Sequence, residues 1–549
     1  MPETNHRKNR KNSITVTKDF VKRILGEVPL TAEIYWLLRH RSGTITSRFS
    51  LSFLDQCLPE ACAQVQECRK DSKAGKKVFL FSSLHIWLNH ATILGLGLAA
   101  DGHDVTLGYL PYSDWFTPIN RFDLRRQNLY AQRVFKKAAD CIHTVSFLST
   151  SAAYKSLPAE LEERIIQVSR YDAQYTDQVE MVDEKSPIFQ LRQQRNLSAA
   201  RTALNWLQEN RPDVVIVPNG TIFEFGVVYE VAQYLKLPVV SYEFDNQKQH
   251  IWLAQNDRVM LQNTDALWEA YQTKPLTNEE SEKIQALFEA RKKASVWKNF
   301  SRLWQSIPAE GVQQAREKLG LDKRPVVLLA TNVLGDSLTL GRQVFSQSMQ
   351  EWIERTVQYF AGREDVQLVI RIHPGEVLTH GVSMVDVVSH VLPRLPEHIH
   401  LIRPEEKVNT YDLIAAADVG LVYTTTVGLE MAMSGVPVIV SGKTHYSNRG
   451  FTIDPDSWLR YYKELGIILF NPKKARLRDE QVANAWAYAY RFFFNFPRPF
   501  PWHIHFLRND YAQFPIKKVF SRSGRKEFGP TFKYLVNEPL DWNTIRKSG

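Results

Sequence analysis

Two stretches of the chain alternate short apolar segments with longer amphipathic ones, and this alternation restricts the fold more than any other feature. In the first stretch, KKVFLFSSLH (76–85) and DVTLGYLP (104–111) predict buried strands, and the residues between them predict a helix that ends at Gly102. The pattern returns with a strand at 213–220, a helix at 221–238 and a strand at 239–244. Strands joined through helices pair in parallel and are covered on both faces. We therefore predict a doubly wound α/β domain over 76–269.

A second α/β domain is predicted over 320–475. Its strands are indicated by PVVLLATN, VQLVIRIHP, VGLVYT and VPVIVSG, with amphipathic segments between them. Around the two domains we expect an N-terminal extension (1–75), disordered over 1–12 and then helical, and a helical linker (270–319). The aromatic and basic tail (476–549) is expected to pack back on the first domain.

Charge and composition limit the partners. The net charge of +10 favours phosphates, acidic glycans or an anionic membrane surface, and no nucleic-acid-binding module is present in the sequence. The four cysteines match no zinc-site spacing and suit a reducing compartment. The sequence has no secretory signal and no apolar run long enough to span a bilayer. We expect a cytoplasmic protein, with peripheral contact at the cytoplasmic face of the membrane as an option.

The most informative polar residues follow strands of the second domain. Arg371 and His373 end one strand, where open α/β sheets bind ligands and where both side chains can donate hydrogen bonds to a phosphate. Thr424, Thr425 and Thr426 lead from the next strand into a helix, whose free N–H groups favour an anion. The alternative is that these residues only cap the strand and the helix.

Four further residues extend this group. Glu430 lies one turn into the helix, where a carboxylate can accept hydrogen bonds from ribose hydroxyls or simply stabilise the helix dipole. Lys443, His445 and Arg449 lie in the loop after the following strand and can neutralise a phosphate leaving group. An ordinary solvated loop is the alternative for these three.

The strings RIHPGE (371–376), TTTVGLEMAMSGVPVIVSG (424–442) and HYSNRGFTID (445–454) resemble the capsule polysaccharide biosynthesis family of bacterial glycosyltransferases, which includes Kdo transferases. A more distant likeness is to sialyltransferases and to polyol-phosphate transferases of teichoic acid synthesis. The resemblance implies a GT-B fold, in which two Rossmann-like domains face each other across a cleft. It also implies that His373 and Thr424–Thr426 hold the nucleotide of a sugar donor and that Glu430 contacts its ribose. No metal or other cofactor is implied.

The first domain then has to bind the glycan or glycolipid acceptor and supply a base within hydrogen-bond reach of its hydroxyl. Glu224 and Asp245, each near the end of a strand, are the leading candidates, followed by His85 after the first strand. His90, Asp114 and Glu243 stay open, and each of the six can instead be a cap or a surface group.

Other functions remain compatible with this sequence. A polyol-phosphate transferase or a nucleotide-sugar 2-epimerase can use the same two domains, and a non-catalytic polysaccharide-assembly protein can keep the fold without the base. The aromatic run 488–506 suits a membrane surface or sugar stacking, but a C-terminal segment that crosses back to the first domain explains it as well.

Overall fold

The computed structural model describes residues 20–39, 49–70, 72–149, 156–303 and 305–543. The disorder predicted for 1–12 lies outside these residues. Before the first sheet, residues 20–27 are helical and are followed by α1 (Thr31–Arg39) and α2 (Ser52–Arg69). Helix α2 packs against the first domain, where Leu54, Leu58 and Val65 enter the core.

The first domain is built on a mostly parallel sheet. Strands β1, β2 and β3 pair in parallel in that order, and β4 and β5 follow on the other side of β1; β6 is antiparallel to β5. The strands are β1 (Lys77–Ser83), β2 (Asp104–Leu110), β3 (His143–Ser146), β4 (Val214–Pro218), β5 (Val239–Phe244) and β6 (His250–Gln255). The helices are α3 (His85–Ala100), α4 (Arg121–Phe135), α5 (Ala159–Asp177), α6 (Pro187–Asn210) and α7 (Phe223–Tyr234).

The second domain repeats this topology. Its five strands are all parallel, and the order β11-β10-β7-β8-β9 is the order that the parallel part of the first sheet has. The strands are β7 (Val326–Ala330), β8 (Gln367–Arg371), β9 (Ile399–Ile402), β10 (Val419–Val422) and β11 (Val438–Val440). The helices are α8 (Asp265–Tyr271), α9 (Asn278–Lys292), α10 (Val312–Leu319), α11 (Met349–Ala361), α12 (Met384–Val391), α13 (Thr410–Ala416), α14 (Val427–Met433), α15 (Trp458–Phe470) and α16 (Pro472–Ala475).

Local sequence explains where these elements begin. Ser186 accepts a hydrogen bond from the N–H of Phe189 at the start of α6, and Asn409 does the same for Tyr411 at the start of α13. Thr277 and Glu280 form a capping box at the start of α9. The central strands are buried along nearly their whole length, as parallel strands covered by helices must be.

The segment that the sequence assigns to a linker, 270–319, packs closely on the second domain. Helix α9 lies against the C-terminal helix α17 (Asp479–Tyr490), and Leu287 and Phe288 share a core with Leu429 and Met431 of α14. Arg291 of α9 forms a buried ion pair with Glu430 at 3.0 Å. This segment is therefore fixed to the second domain by both apolar and ionic contacts.

The C-terminal tail crosses from the second domain to the first. After α17 and a π-helical turn (Arg491–Asn495), the short strand β12 (Arg498–Pro499) pairs with β6 and completes a seven-stranded first sheet. Helices α18 (Leu507–Gln513), α19 (Ile516–Val519) and α20 (Arg522–Leu535) then cover that domain. The aromatic run 488–506 is largely inside the two cores, so its main rings are not available to a membrane.

The two sheets face one cleft, and the predicted GT-B fold of two Rossmann-like domains is confirmed by this topology. Within the described ranges, no helix is long and apolar enough to cross a bilayer.

Trp502 provides a test of how the tail is attached. Its ring is fully buried beside Gly97, where an added Cβ would lie 2.8 Å from the ring, and its N–H donates to the carbonyl of Phe514 at 2.8 Å. We expect Trp502→Ala to lower the free energy of unfolding by about 3–5 kcal/mol, because it empties a packed site. Urea unfolding measures the loss. Leu459→Ala, at a side chain that is 82% exposed, is the control and should change little; equal effects of the two substitutions would contradict the packing.

Candidate active site

A cavity of about 580 Å³ lies between the carboxyl ends of the strands of the two domains. Asp245, directly after β5, reaches it from the first domain. Asn332, His373 and Thr424 reach it from the second, each after a different parallel strand. Its volume falls in the range of small-ligand sites, which is about 300–1,000 Å³. The parallel topology thus gathers residues that are far apart in sequence into one site.

His373 is held in a single tautomer by the turn that follows it. The N–H of Gly375 donates to Nδ1 of His373 at 2.9 Å, so the proton of the neutral ring sits on Nε2. An added Cβ at Gly375 would lie 2.8 Å from Nδ1, which explains the glycine. Burial, together with nearby Arg302 and Arg371, lowers the pKa of His373 to about 4. The ring therefore offers an N–H donor without a positive charge near pH 7.

The threonines at the start of α14 supply hydroxyl groups to the cavity wall. The hydroxyl of Thr424 is buried without a hydrogen-bond partner, while its N–H donates to Oδ1 of Asn332 at 3.1 Å. Thr425 is fixed differently, because its carbonyl accepts a hydrogen bond from the hydroxyl of Tyr446 at 2.5 Å. Thr426 also lines the cavity. An unsatisfied buried hydroxyl in a polar cavity is a group that a ligand can satisfy.

Glu430 lines the cavity, but its carboxylate is already engaged. One oxygen accepts a hydrogen bond from Arg291 at 3.0 Å, and both side chains are buried. Burial raises the pKa of Glu430 although Arg291 opposes the rise. The ion pair joins α9 to α14, so the carboxylate has a structural role that the sequence did not indicate.

Three of the predicted donor-binding cations lie outside the cavity wall. Nη1 of Arg371 donates a hydrogen bond to the carbonyl oxygen of Arg403 at 2.9 Å. Arg449 pairs with Asp265, and Lys443 is exposed. This corrects the prediction that Arg371, Lys443 and Arg449 surround a phosphate here. Their side chains have protein partners or solvent instead.

Two arginines that were not predicted from the sequence line the cavity, Arg302, which is exposed, and Arg342. Arg342 is the buried one. It lines the cavity, is almost fully buried, and is held by the carbonyls of Lys443 and Met260. Its Nε has no partner, and burial lowers its pKa to about 10, which leaves it charged near neutral pH. The sequence feature that could have pointed to Arg342 is the loop after β7, in which Gly335 and Gly341 have positive φ. In Rossmann folds the loop after the first strand is where phosphates bind.

His445, the third predicted cation of the loop after β11, does line the cavity, but as a neutral ring. Its ring stacks on Phe492 of the tail, with centroids 3.7 Å apart, and Nδ1 lies 2.9 Å from the hydroxyl of Tyr488. Nε2 lines the cavity without a partner, and burial holds the pKa of His445 well below its usual value. It adds a second neutral imidazole to the site.

Of the three predicted catalytic residues, only Asp245 lines the cavity. Burial raises its pKa to about 7, against the backbone N–H groups of Asn246 and Gln247 and the charge of Arg291. A carboxyl group that titrates near neutral pH in a cleft is suited to proton transfer. Its carbonyl accepts a hydrogen bond from His503, so the tail also fixes the backbone here.

Glu224 is placed in the core of the first domain, away from the cavity. It is fully buried and pairs with Arg192 at 2.8 Å, while its other oxygen accepts a hydrogen bond from Ser83 at 2.8 Å. Burial raises its pKa, but Arg192 and Arg195 outweigh that effect and keep it below the ordinary value. The structure therefore corrects the prediction: Glu224 has no free oxygen and no access to an acceptor.

The remaining candidates also lie outside the cavity wall. Nδ1 of His85 is 3.3 Å from the carbonyl of Ser113, and burial lowers its pKa, which corrects its prediction as a base at this site. Asp114 accepts from the N–H of Thr117 at 2.7 Å and lines a smaller separate cavity. Glu243 accepts a hydrogen bond from Asn219 at 3.1 Å.

Comparison with known proteins agrees with this placement. Residues 261–463 match the family model described as "Capsule polysaccharide biosynthesis protein". This segment is similar to that family. The match spans the second sheet and the residues that it contributes to the cavity, and it confirms the resemblance seen in the sequence. No curated protein sequence matches the chain.

Solved structures with loose overall similarity include two from Thermosulfurimonas dismutans KpsC. The beta Kdo 2,4 transferase is 18% identical, with 53% of this chain and 82% of that chain covered and a TM-score of 0.33. The beta Kdo 2,7 transferase is 15% identical, covers 52% and 80%, and has a TM-score of 0.30. A UDP-GlcNAc 2-epimerase from Neisseria meningitidis, bound to UDP-GlcNAc, is 12% identical, covers 76% and 100%, and has a TM-score of 0.24. Similarity at this level does not identify a reaction.

The buried pair of Glu224 and Arg192 predicts a stability effect and not a catalytic one. We expect Glu224→Gln to lower the free energy of unfolding by about 3–5 kcal/mol, because Arg192 loses a buried partner. Chemical denaturation measures this, and nucleotide binding by the folded protein should be unchanged. Glu160→Gln, which removes an exposed pair with Arg164, is the matched control and should have little effect. Wild-type stability with lost activity would instead return Glu224 to the list of catalytic residues.

Proposed function

We propose that this chain is a glycosyltransferase of capsule or related surface polysaccharide synthesis, which moves a sugar from a nucleotide-sugar donor to a glycan or glycolipid acceptor. The observation that carries the proposal is the single cavity between two Rossmann-like domains. A carboxyl group with a pKa near 7 enters it from one domain, and hydroxyl, imidazole and guanidinium groups enter it from the other. The match of residues 261–463 to the capsule polysaccharide biosynthesis family model supports the biological setting.

In the proposed reaction the second domain binds the phosphate end of the donor. Nε2–H of His373 and the hydroxyl of Thr424 donate hydrogen bonds to phosphate oxygens. Arg342 provides the positive charge that stabilises the departing nucleotide, so we propose that side chains, and no metal or other cofactor, supply this charge. Neutral imidazoles suit the hydrogen-bonding role, because they bind phosphate without adding further repulsion beside Arg342.

The first domain positions the acceptor against Asp245. In its ionised form this carboxylate takes the proton from the acceptor hydroxyl as the new glycosidic bond forms. We further propose that the chain works in the cytoplasm at the inner face of the membrane, without a nucleic-acid partner. Its four free cysteines fit a reducing compartment.

The direct test is to incubate the purified chain with a panel of nucleotide sugars, with and without a glycolipid extract, and to analyse the products by mass spectrometry. The proposal requires a sugar added to the acceptor and nucleotide released only when the acceptor is present. Conversion of the nucleotide sugar without an acceptor would indicate an epimerase. Glycan binding with no turnover for any donor would indicate an assembly protein.

Nucleotide binding has a residue-level prediction. We expect Thr424→Val and His373→Ala each to weaken binding of the preferred nucleotide about 10-fold or more, because each removes a hydrogen bond to a charged group. Calorimetric titration with CMP, UDP, GDP and CDP measures the affinities. Thr452→Val is the matched control, since the hydroxyl of Thr452 bonds to Asp454 and does not line the cavity. Equal affinities for all three variants and the wild type would remove the donor site from this cavity.

The pKa of Asp245 predicts the pH profile. Because the active form is the carboxylate and the pKa is about 7, kcat/KM should rise with pH through about 7 and fall about tenfold per pH unit below it. His373, with a pKa near 4, does not titrate in that range.

Steady-state rates across pH, for a wild-type chain and two variants, separate the carboxylates. Asp245→Asn should lower kcat/KM by about 10²–10⁴-fold. Asp336→Asn changes another carboxylate at the cavity, and in this variant kcat/KM should still fall below pH 7 as in the wild type. If the fall of kcat/KM below pH 7 disappears with Asp336→Asn and remains with Asp245→Asn, the assignment is contradicted.

A further inference from the structure

The N-terminal helices carry an apolar surface that the rest of the described chain leaves uncovered. Eight large apolar side chains between residues 20 and 38 are 45–79% exposed. Six of them lie at helical spacing on the segments 20–27 and 31–39, and the other two lie in the turn between these segments. We call this set the N-terminal apolar surface; it consists of Phe20, Val21, Ile24, Val28, Leu30, Ile34, Leu37 and Leu38.

This surface is fixed to the first domain by its opposite side. Ala32 is fully buried, and the ring of Tyr35 meets Phe122 of α4 edge to face at 5.5 Å. Gly26 touches the same helix, since an added Cβ there would lie 2.8 Å from the backbone nitrogen of Phe122. The two helical segments are therefore packed on α4 by one side, and their apolar side chains lie on the exposed side.

The sequence on either side of this surface is predominantly basic. The acidic side chains within the surface are neutralised from α4, because Glu27 pairs with Arg121 at 2.6 Å and Glu33 pairs with Arg125. Of the flanking residues 5–19 and 39–48, Asp19 is the one acidic residue. Their basic residues are Arg7, Lys8, Arg10, Lys11, Lys18, Arg39, Arg41 and Arg48.

We propose that the N-terminal apolar surface docks the protein on an anionic phospholipid bilayer. Apolar side chains on a surface helix enter the boundary between head groups and acyl chains, and flanking basic residues are attracted to anionic lipid. A second copy of the chain fits less well, because it brings like-charged flanks together in a chain whose net charge is +10. This inference goes beyond the proposed reaction and does not depend on it.

Co-sedimentation of the full chain with vesicles tests the proposal. The wild type should bind vesicles of phosphatidylcholine containing phosphatidylglycerol, bind pure phosphatidylcholine vesicles much less, and lose binding as salt is raised. The double variant Leu37→Ser/Leu38→Ser should bind at least about 10-fold more weakly, because both leucines lose apolar burial in the bilayer. Both side chains are exposed in the free protein, so its circular dichroism and thermal unfolding should stay as in the wild type.

Two further variants locate and characterise the contact. Arg7→Glu/Lys8→Glu should weaken binding only to the anionic vesicles, by at least about 5-fold for each charge. Leu459→Ser/Phe470→Ser, at two side chains of α15 that are 82% and 91% exposed, is the matched control and should bind like the wild type. Loss of binding in this control and not in the Leu37/Leu38 variant would put the contact on α15 and overturn the proposal.

Two other outcomes also overturn it. One is a wild type that does not sediment with anionic vesicles. The other is light scattering that shows a dimer dissociated by Leu37→Ser/Leu38→Ser, which would make a second copy the occupant.

Discussion

The candidate site depends on the C-terminal segment that ties the two domains together. Helix α17 packs on α14 in the second domain, and β12 then adds to the edge of the first sheet. Before β12 the tail provides Phe492, which stacks on His445, and after β12 it provides His503, which bonds to the carbonyl of Asp245. A group from each side of the cleft is thus held by the same segment of chain, and this fixes the two sets of strand ends across one cavity.

Burial sets the electrostatics inside that cavity. It lowers the pKa of His373 and His445 and raises the pKa of Asp245, so the imidazoles are neutral and the carboxyl group titrates near pH 7. Arg342 keeps its charge because its ordinary pKa is high enough to withstand the same effect. The result is a buried cation, Arg342, beside neutral hydrogen-bond donors and a titratable acid. This combination suits the transfer of a group away from a phosphate.

The sequence predicted the fold better than it predicted the site. Strand–helix alternation and buried apolar runs correctly indicated two parallel sheets, because those patterns depend on local periodicity. The positions of His373, Thr424 and Asp245 at strand ends were also readable, since parallel topology brings such ends together. Local sequence patterns do not show which distant residue pairs with each charged side chain. Glu224 and Asp245 both lie near strand ends, and only the distant Arg192 makes the first a core ion pair.

The density of apolar residues along the chain does not show which of them are exposed. The aromatic run 488–506 is the richest in large rings, yet its neighbours in two cores cover it, because the chain crosses between domains there. The N-terminal helices have fewer rings, but among the described residues their main neighbour is α4, and their other apolar side chains are exposed there. Whether an apolar residue is buried is decided by how many elements surround it, and that number follows from topology and not from composition. A membrane contact is therefore better sought at the edge of the fold, where helices have one neighbour, than in its most hydrophobic segment.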